Sequence, residues 1–199
     1  MTWLFHGKKF GHLQSIVLCV YLAFIDWSMI LTVLQGTLPF ISYRVLAAWA
    51  IGKSVLHTAI DDLESFAWVM LWAALHTPAV KTPTEDLWLQ ALSSDNINMV
   101  ADKKYVIMME DLEPEDMSEP LRILSPLLTE WFAIARAGRT ALNSFLKRFT
   151  LSTIDELRPT VPDDIARTPD DFCSELEAFC LSYYKLYLKK AVEFLDTVM

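Results

Sequence analysis

Ten consecutive apolar residues, Phe66-Ala-Trp-Val-Met-Leu-Trp-Ala-Ala-Leu75, leave a chain few ways to fold. They end the stretch from His57 to Leu75, which reads as one helix. Thr58 serves as N-cap, and Asp61, three residues on, bonds back to close a capping box. A helix without a polar side must be buried all round, in a protein core or in lipid. Ten residues of helix cover only about 15 Å, roughly half a bilayer. The spacing therefore predicts a central core helix, His57–Leu75, inaccessible on every side.

Asp62 lies where this helix passes under the surface. A buried carboxylate needs donors, because its desolvation otherwise costs several kcal/mol. Its plainer reading is an acid placed near the helix N-terminus and favoured by the dipole. With 199 residues, 53% of them hydrophobic and only five glycine, the chain has the composition of one globular, helix-friendly domain. A formal charge of −8 and the lack of basic clusters beyond pairs argue against nucleic-acid binding. Cys19, Cys173 and Cys180 show no metal-ligand spacing, and a reducing, intracellular compartment (cytoplasm or nucleus) follows.

Residues 1–25 contain no acid, and Lys8 and Lys9 precede the apolar run from Ser15 to Ile25. This superficially resembles a signal peptide or anchor. Tyr21 stands two residues before Ala23, so the small-x-small cleavage pattern fails. A longer span, to Leu34, would place Asp26 near the bilayer centre. The expectation is a buried strand ending at Ala23-Phe-Ile-Asp26-Trp27, with no membrane span.

Towards the C-terminus, Glu110 to Glu119 carries six acids and no base and reads as a solvated loop. Leu121 to Arg136 is predicted helical, with Gly138 at its end, followed by a short helix from Thr140 to Phe149. Ser152 to Pro169 reads as a loop. A final helix begins with Thr168 as N-cap, Pro169 at the first position and Asp171 closing the box. Its expected buried stripe is Phe172, Leu176, Phe179, Tyr183, Leu186 and Phe194, with Lys185, Lys189 and Lys190 on a solvated face.

Three motifs in order resemble the fungal-type protein kinases. Leu22-Ala-Phe-Ile-Asp26-Trp27-Ser-Met is similar to the family's metal-binding strand. Gly36-Thr37-Leu38-Pro39-Phe40-Ile41-Ser42 is similar to its G-T-L-P-F-M-S segment at the end of the activation loop. Asp62-Leu-Glu-Ser65-Phe66 is similar to its H-D-L-E-S-F run, the counterpart of the buried D-x-W-S-F-G helix of protein kinases. Asp86-Leu-Trp88 through Ala101-Asp-Lys-Lys104 resembles a further W…A-x-x-K stretch. The resemblance implies a mainly α, protein-kinase-like large lobe over residues 22–199, with residues 1–21 an atypical segment. It further implies Asp26 as a magnesium ligand, Mg-ATP as the family's cofactor, and Asp62, Ser65 and Phe66 as structural kinase residues.

Several departures bear on activity. Ser28 replaces the family's usual second acid or glycine, and only nine residues separate Asp26 from Gly36. Arg44 stands where the family's A-P-E-like motif places a Glu, a reversed charge that cannot form the usual Glu–Arg pair. Phosphoryl transfer needs a phosphate-covering loop, a phosphate lysine and a catalytic Asp with its nearby Asn. Residues 1–25, upstream of Asp26, contain neither Asp nor Asn, and the chain has no G-x-G-x-x-G. The four histidines form no catalytic spacing. The expectation is a truncated large lobe without a catalytic residue, inactive as an isolated chain. Two other readings stand beside it: a pseudokinase remnant binding a protein partner on the surface a small lobe otherwise covers, and a membrane-anchored helical protein.

Overall fold

The computed structural model describes residues 38–78, 80–110, 116–155 and 169–198, and all structural statements concern these. A 3-10 turn at Leu38–Phe40 is followed by α1 (Tyr43–Ala50), α2 (Ala59–His76), α3 (Pro83–Leu92), α4 (Ile97–Met109), α5 (Glu119–Asp155) and α6 (Pro169–Val198). The fold is mainly α, with no strand among the described residues. The expected strand, Asp26, Gly36, Thr37 and Thr168 lie outside them.

Local chemistry sets most helix ends. At α2 the Asp61 carboxylate accepts from the Thr58 N–H at 2.9 Å and from its hydroxyl at 3.0 Å. Thr82, Pro83 and Glu85 do the same for α3, where Glu85 accepts from the Thr82 N–H and Thr82 Oγ1 accepts from the Glu85 N–H. Asn96 caps α4 by accepting from the amides of Asn98 and Met99. Helix α1 ends on Gly52, whose φ of +67° suits a residue without a Cβ. The Gly52 and Lys53 amides then donate to the Trp49 and Ala48 carbonyls, closing a Schellman motif.

Helix α2 is central. It packs most extensively on α5, and also meets α6, α1, α3 and the 3-10 turn; α1 lies against α4, and α5 against α6. The core is aromatic where α2, α5 and α6 meet. Phe66 lies 5.3 Å from Trp131 and Trp68 4.7 Å from Phe132, ring centroid to centroid. Trp131 stacks on Tyr187, and the two exchange bonds: Trp131 Nε1 donates to the Tyr187 carbonyl, and the Tyr187 hydroxyl to the Trp131 carbonyl. Both polar tips are thereby satisfied in the interior, as buried Trp and Tyr require.

Three expectations need correction. Helix α2 is not inaccessible all round: Asp62, Ser65, Val69 and Trp72 are half-exposed and Ala73 and His76 exposed, a stripe at helical spacing. Its apolar composition hides this face because Val69, Trp72 and Ala73 lie on it. Gly138 does not end a helix. Helix α5 runs through it unbroken to Asp155, so Thr140–Phe149 is no separate helix and residues 152–155, expected in a loop, are helical. A Cβ at Gly138 would stand 3.1 Å from Ile60 Cγ2 and 3.2 Å from the Tyr183 ring. The glycine therefore permits three helices to approach closely. In α6 the buried residues are Tyr187 and Ala191; of the expected stripe, Phe172, Leu176, Phe179, Tyr183 and Phe194 are half-buried and Leu186 is 44% exposed. Four steps on from Tyr183 keep the chain on the same face, and three steps begin to leave it.

Pro126 sits inside α5 and cannot supply the amide that would bond Arg122, four residues back. The Ser125 hydroxyl donates to that carbonyl at 3.1 Å instead. The helix continues with its backbone acceptor satisfied.

Candidate functional site

The densest polar cluster gathers where residues 41–44 meet α2 and α4. Ser42 caps α1, its Oγ accepting from the Val45 amide, and the same hydroxyl donates to Asp61 Oδ1 at 2.9 Å. Arg44, just inside α1, closes a two-pronged pair with the same carboxylate, Nε to Oδ1 at 3.0 Å and Nη2 to Oδ2 at 2.5 Å. Nη2 also donates to the Leu56 carbonyl. Asp61 therefore ties the start of α1, the chain before α2 and α2 itself to one carboxylate. Its side chain is 2% exposed. Burial alone would raise its pKa, but Arg44, then Thr58 and Ser42, outweigh this and hold it below the usual carboxylate range.

One turn further along α2, Glu64 is fully enclosed. Its Oε1 accepts from the Tyr43 amide at 2.5 Å and from Trp68 Nε1 at 3.0 Å. Lys104 on α4 is likewise buried, lies 4.4 Å over the Trp68 ring, and donates to the Ile41 carbonyl at 2.5 Å. Burial pushes Glu64 up and Lys104 well down, both towards the neutral form. Their mutual attraction and the Trp68 and Tyr43 donors oppose that trend. Successive residues Ile41, Ser42 and Tyr43 are thus held by Lys104, Asp61 and Glu64. The Tyr43 ring meets Tyr105 at 5.6 Å and Arg139 at 4.9 Å, while Arg136 donates to the Met108 carbonyl at the end of α4.

This cluster is a clamp. Asp61 and Glu64 are both engaged by protein donors, and neither is presented to solvent as an acid or base. Among the described residues no group of three or more His, Cys, Asp or Glu could hold a metal ion. Asp26, the residue given as a magnesium ligand by resemblance, lies outside them, as do Gly36 and Thr37. Leu38, Pro39 and Phe40 form the 3-10 turn, and Phe40 sets its ring edge-on to Trp72 at 5.6 Å. Ser65 donates to the Asp61 carbonyl within α2, and Phe66 enters the aromatic core.

Two sequence expectations change here. Asp62 is not the buried acid: its side chain is 35% exposed, with His57 Nε2 3.4 Å away. Partial burial raises its pKa, His57 opposes this, and Asp61 adds to it. Adjacent helical residues point about 100° apart, so Asp61 turns to Arg44 while Asp62 turns outward. Arg44 does find a partner on a later helix, an acid of α2, so the reversed charge is matched. Sequence reasoning did not single out Asp61, Glu64 or Lys104 as site residues. A signal existed for Lys104, which shares its helical face with buried Val100, Ala101, Ile107 and Met108. A lysine among such neighbours needs an acceptor.

No protein family, curated protein or solved structure matches the chain. Among the described residues, no helix is long and apolar enough to cross a membrane.

Proposed function

We propose that residues 22–199 form a lobe of the protein-kinase-like type that acts by binding a protein partner and does not itself transfer phosphate. The reading rests on the order of the three motifs and on one geometric observation. The segment resembling the end of an activation loop is clamped at Ile41, Ser42 and Tyr43 to the helix resembling the kinase central helix, and to α4. In a kinase this segment lies near substrate. Here neutral and charged protein groups already hold it, so no added phosphate is required to order it. Within the 199 residues, no glycine-rich loop accompanies Asp26, and no Asp or Asn precedes it. Those are the groups that cover phosphates, accept the hydroxyl proton and bind the second metal.

Titration calorimetry with Mg-ATP, paired with a phosphoryl-transfer assay, tests the catalytic half of this reading. The expected result is no transfer and at most weak nucleotide binding, unchanged by Asp26→Asn. Micromolar binding that depends on Asp26, together with transfer, overturns it and makes the chain an enzyme of the kinase class.

A further inference from the structure

Helix α6 has two apolar faces, and the bundle uses one. Its inner side carries Phe179, Tyr183, Tyr187, Ala191 and Phe194, of which Tyr187 and Ala191 are buried against the bundle. On the opposite side stand Ala178, Leu181, Lys185, Leu188, Val192 and Leu195. Their separations alternate three, four, three, four, three. That is the a/d spacing of a left-handed coiled coil, in which only those positions keep facing a partner helix. Leu181 is 48% and Val192 57% exposed; Ala178 and Lys185 are exposed, and Leu188 and Leu195 half-exposed. A seam of this length runs about 26 Å along the helix.

We infer that this outer seam of α6 pairs with the same seam of a second copy of the chain, the two helices running antiparallel. The one charged member of the stripe decides the orientation. In a parallel, in-register pair, Lys185 would meet its own copy inside the seam, placing like charges together where water is excluded. In an antiparallel pair with its two-fold axis between residues 186 and 187, every seam position gains an unlike partner. Lys185 lies across from Leu188, so its methylene stem packs on the leucine while the ammonium reaches past the edge of the seam into water. Leu181 lies across from Val192, and small Ala178 across from large Leu195. The seam is thus complementary to itself when reversed, which a two-fold interface between identical chains requires. Lys185 makes no ion pair among the described residues, so it need not leave one to enter the seam.

The flanks fix the salt response. Beside the seam Lys189 faces Ser182, whereas exposed Glu175 faces exposed Asp196 at each open end. Those acid–acid contacts, and the charge of −8 on each copy, weaken association at low ionic strength. Added salt therefore strengthens the pair.

Sedimentation equilibrium of the full chain reads the mass directly. The expected result is a concentration-dependent species of twice 22.8 kDa, more populated at high salt. Leu181→Glu and Val192→Glu should each return the mass to 22.8 kDa with an unchanged far-ultraviolet spectrum, because both side chains face outward. Orientation is read by oxidation of single-cysteine proteins in which Cys19, Cys173 and Cys180 are replaced. A mixture of Leu181→Cys and Val192→Cys proteins should cross-link to each other ahead of either to itself. A monomer at all concentrations, or a dimer indifferent to both glutamates, overturns the proposal; preferential Leu181→Cys self-cross-linking overturns its antiparallel form.

Discussion

The pair between Arg44 and Asp61 gives the sharpest test of the clamp, through a double-mutant cycle of Arg44→Met and Asp61→Asn. Arg44→Met removes both prongs at 3.0 and 2.5 Å, together with the bond to the Leu56 carbonyl. It leaves Asp61 almost wholly enclosed, with Ser42 and Thr58 as its remaining donors. Removing one member of a buried pair costs about 3–5 kcal/mol, and the surviving donors place this case near about 3. Asp61→Asn should cost a similar amount, because Arg44, 11% exposed, then keeps its charge with little water. The double variant has no stranded charge and should lose about 4 kcal/mol, a coupling of about 2. Each single change should lower Tm by about 6–12 °C for a chain of this size. Guanidinium unfolding at neutral pH, followed by circular dichroism, measures all four corners. Losses that simply add to within about 0.5 kcal/mol would refute the clamp. The pH dependence follows from the same geometry. Because folding lowers the Asp61 pKa, its contribution is fully present above the unfolded value of about 3.9 and is lost as pH falls through the lower folded value. The gap between wild type and Asp61→Asn should therefore be flat around neutrality and close only below about pH 3.9.

Three further outcomes are expected. Asp62→Asn should change unfolding free energy by less than about 1 kcal/mol in the same titration, since its side chain is partly solvated and its partner is an exposed histidine; a loss like that of Asp61→Asn would place the structural acid at the wrong residue. Ser125→Ala should cost about 1 kcal/mol alone and almost nothing in a Pro126→Ala background, where an alanine amide again reaches the Arg122 carbonyl; an equal cost in both backgrounds would mean the hydroxyl does not replace that bond. Gly138→Val should destabilise by about 1–3 kcal/mol through overpacking against Ile60 and Tyr183, visible as a lower denaturation midpoint. A neutral valine would show that the three helices do not meet closely there.

Helices α2 and α6 and their starts were legible, because caps are local chemistry: Thr58 with Asp61, and Pro169, mark their helices without knowledge of the rest. Other features depend on what lies across the core. Nothing in the sequence tells a glycine that ends a helix from one that admits a neighbour, and Gly138 does the second. Asp61 and Asp62 are chemically alike and adjacent, so choosing the buried one requires knowing where Arg44 comes to rest. The same holds for Glu64, whose donors are Trp68 on its own helix and a backbone amide at Tyr43. Lys104 is the exception, since its apolar neighbours already argue for a buried amine. The stripe on α6 was legible only as a direction: Phe172, Leu176, Phe179, Tyr183 and Phe194 are half-buried, Leu186 is exposed, and the buried positions are Tyr187 and Ala191.

The clamp on residues 41–43 also imposes an order on folding. Ser42 is anchored 19 residues downstream, Tyr43 21 residues downstream and Ile41 63 residues downstream. During synthesis at about 5–20 residues per second, Ile41 is made roughly 3–13 s before Lys104 exists to receive its carbonyl. For that interval the docking surface is incomplete, and the Ile41 carbonyl waits on a helix not yet translated. Ser42 and Tyr43 can dock once α2 is made, and the clamp is completed at Ile41 only after α4 follows.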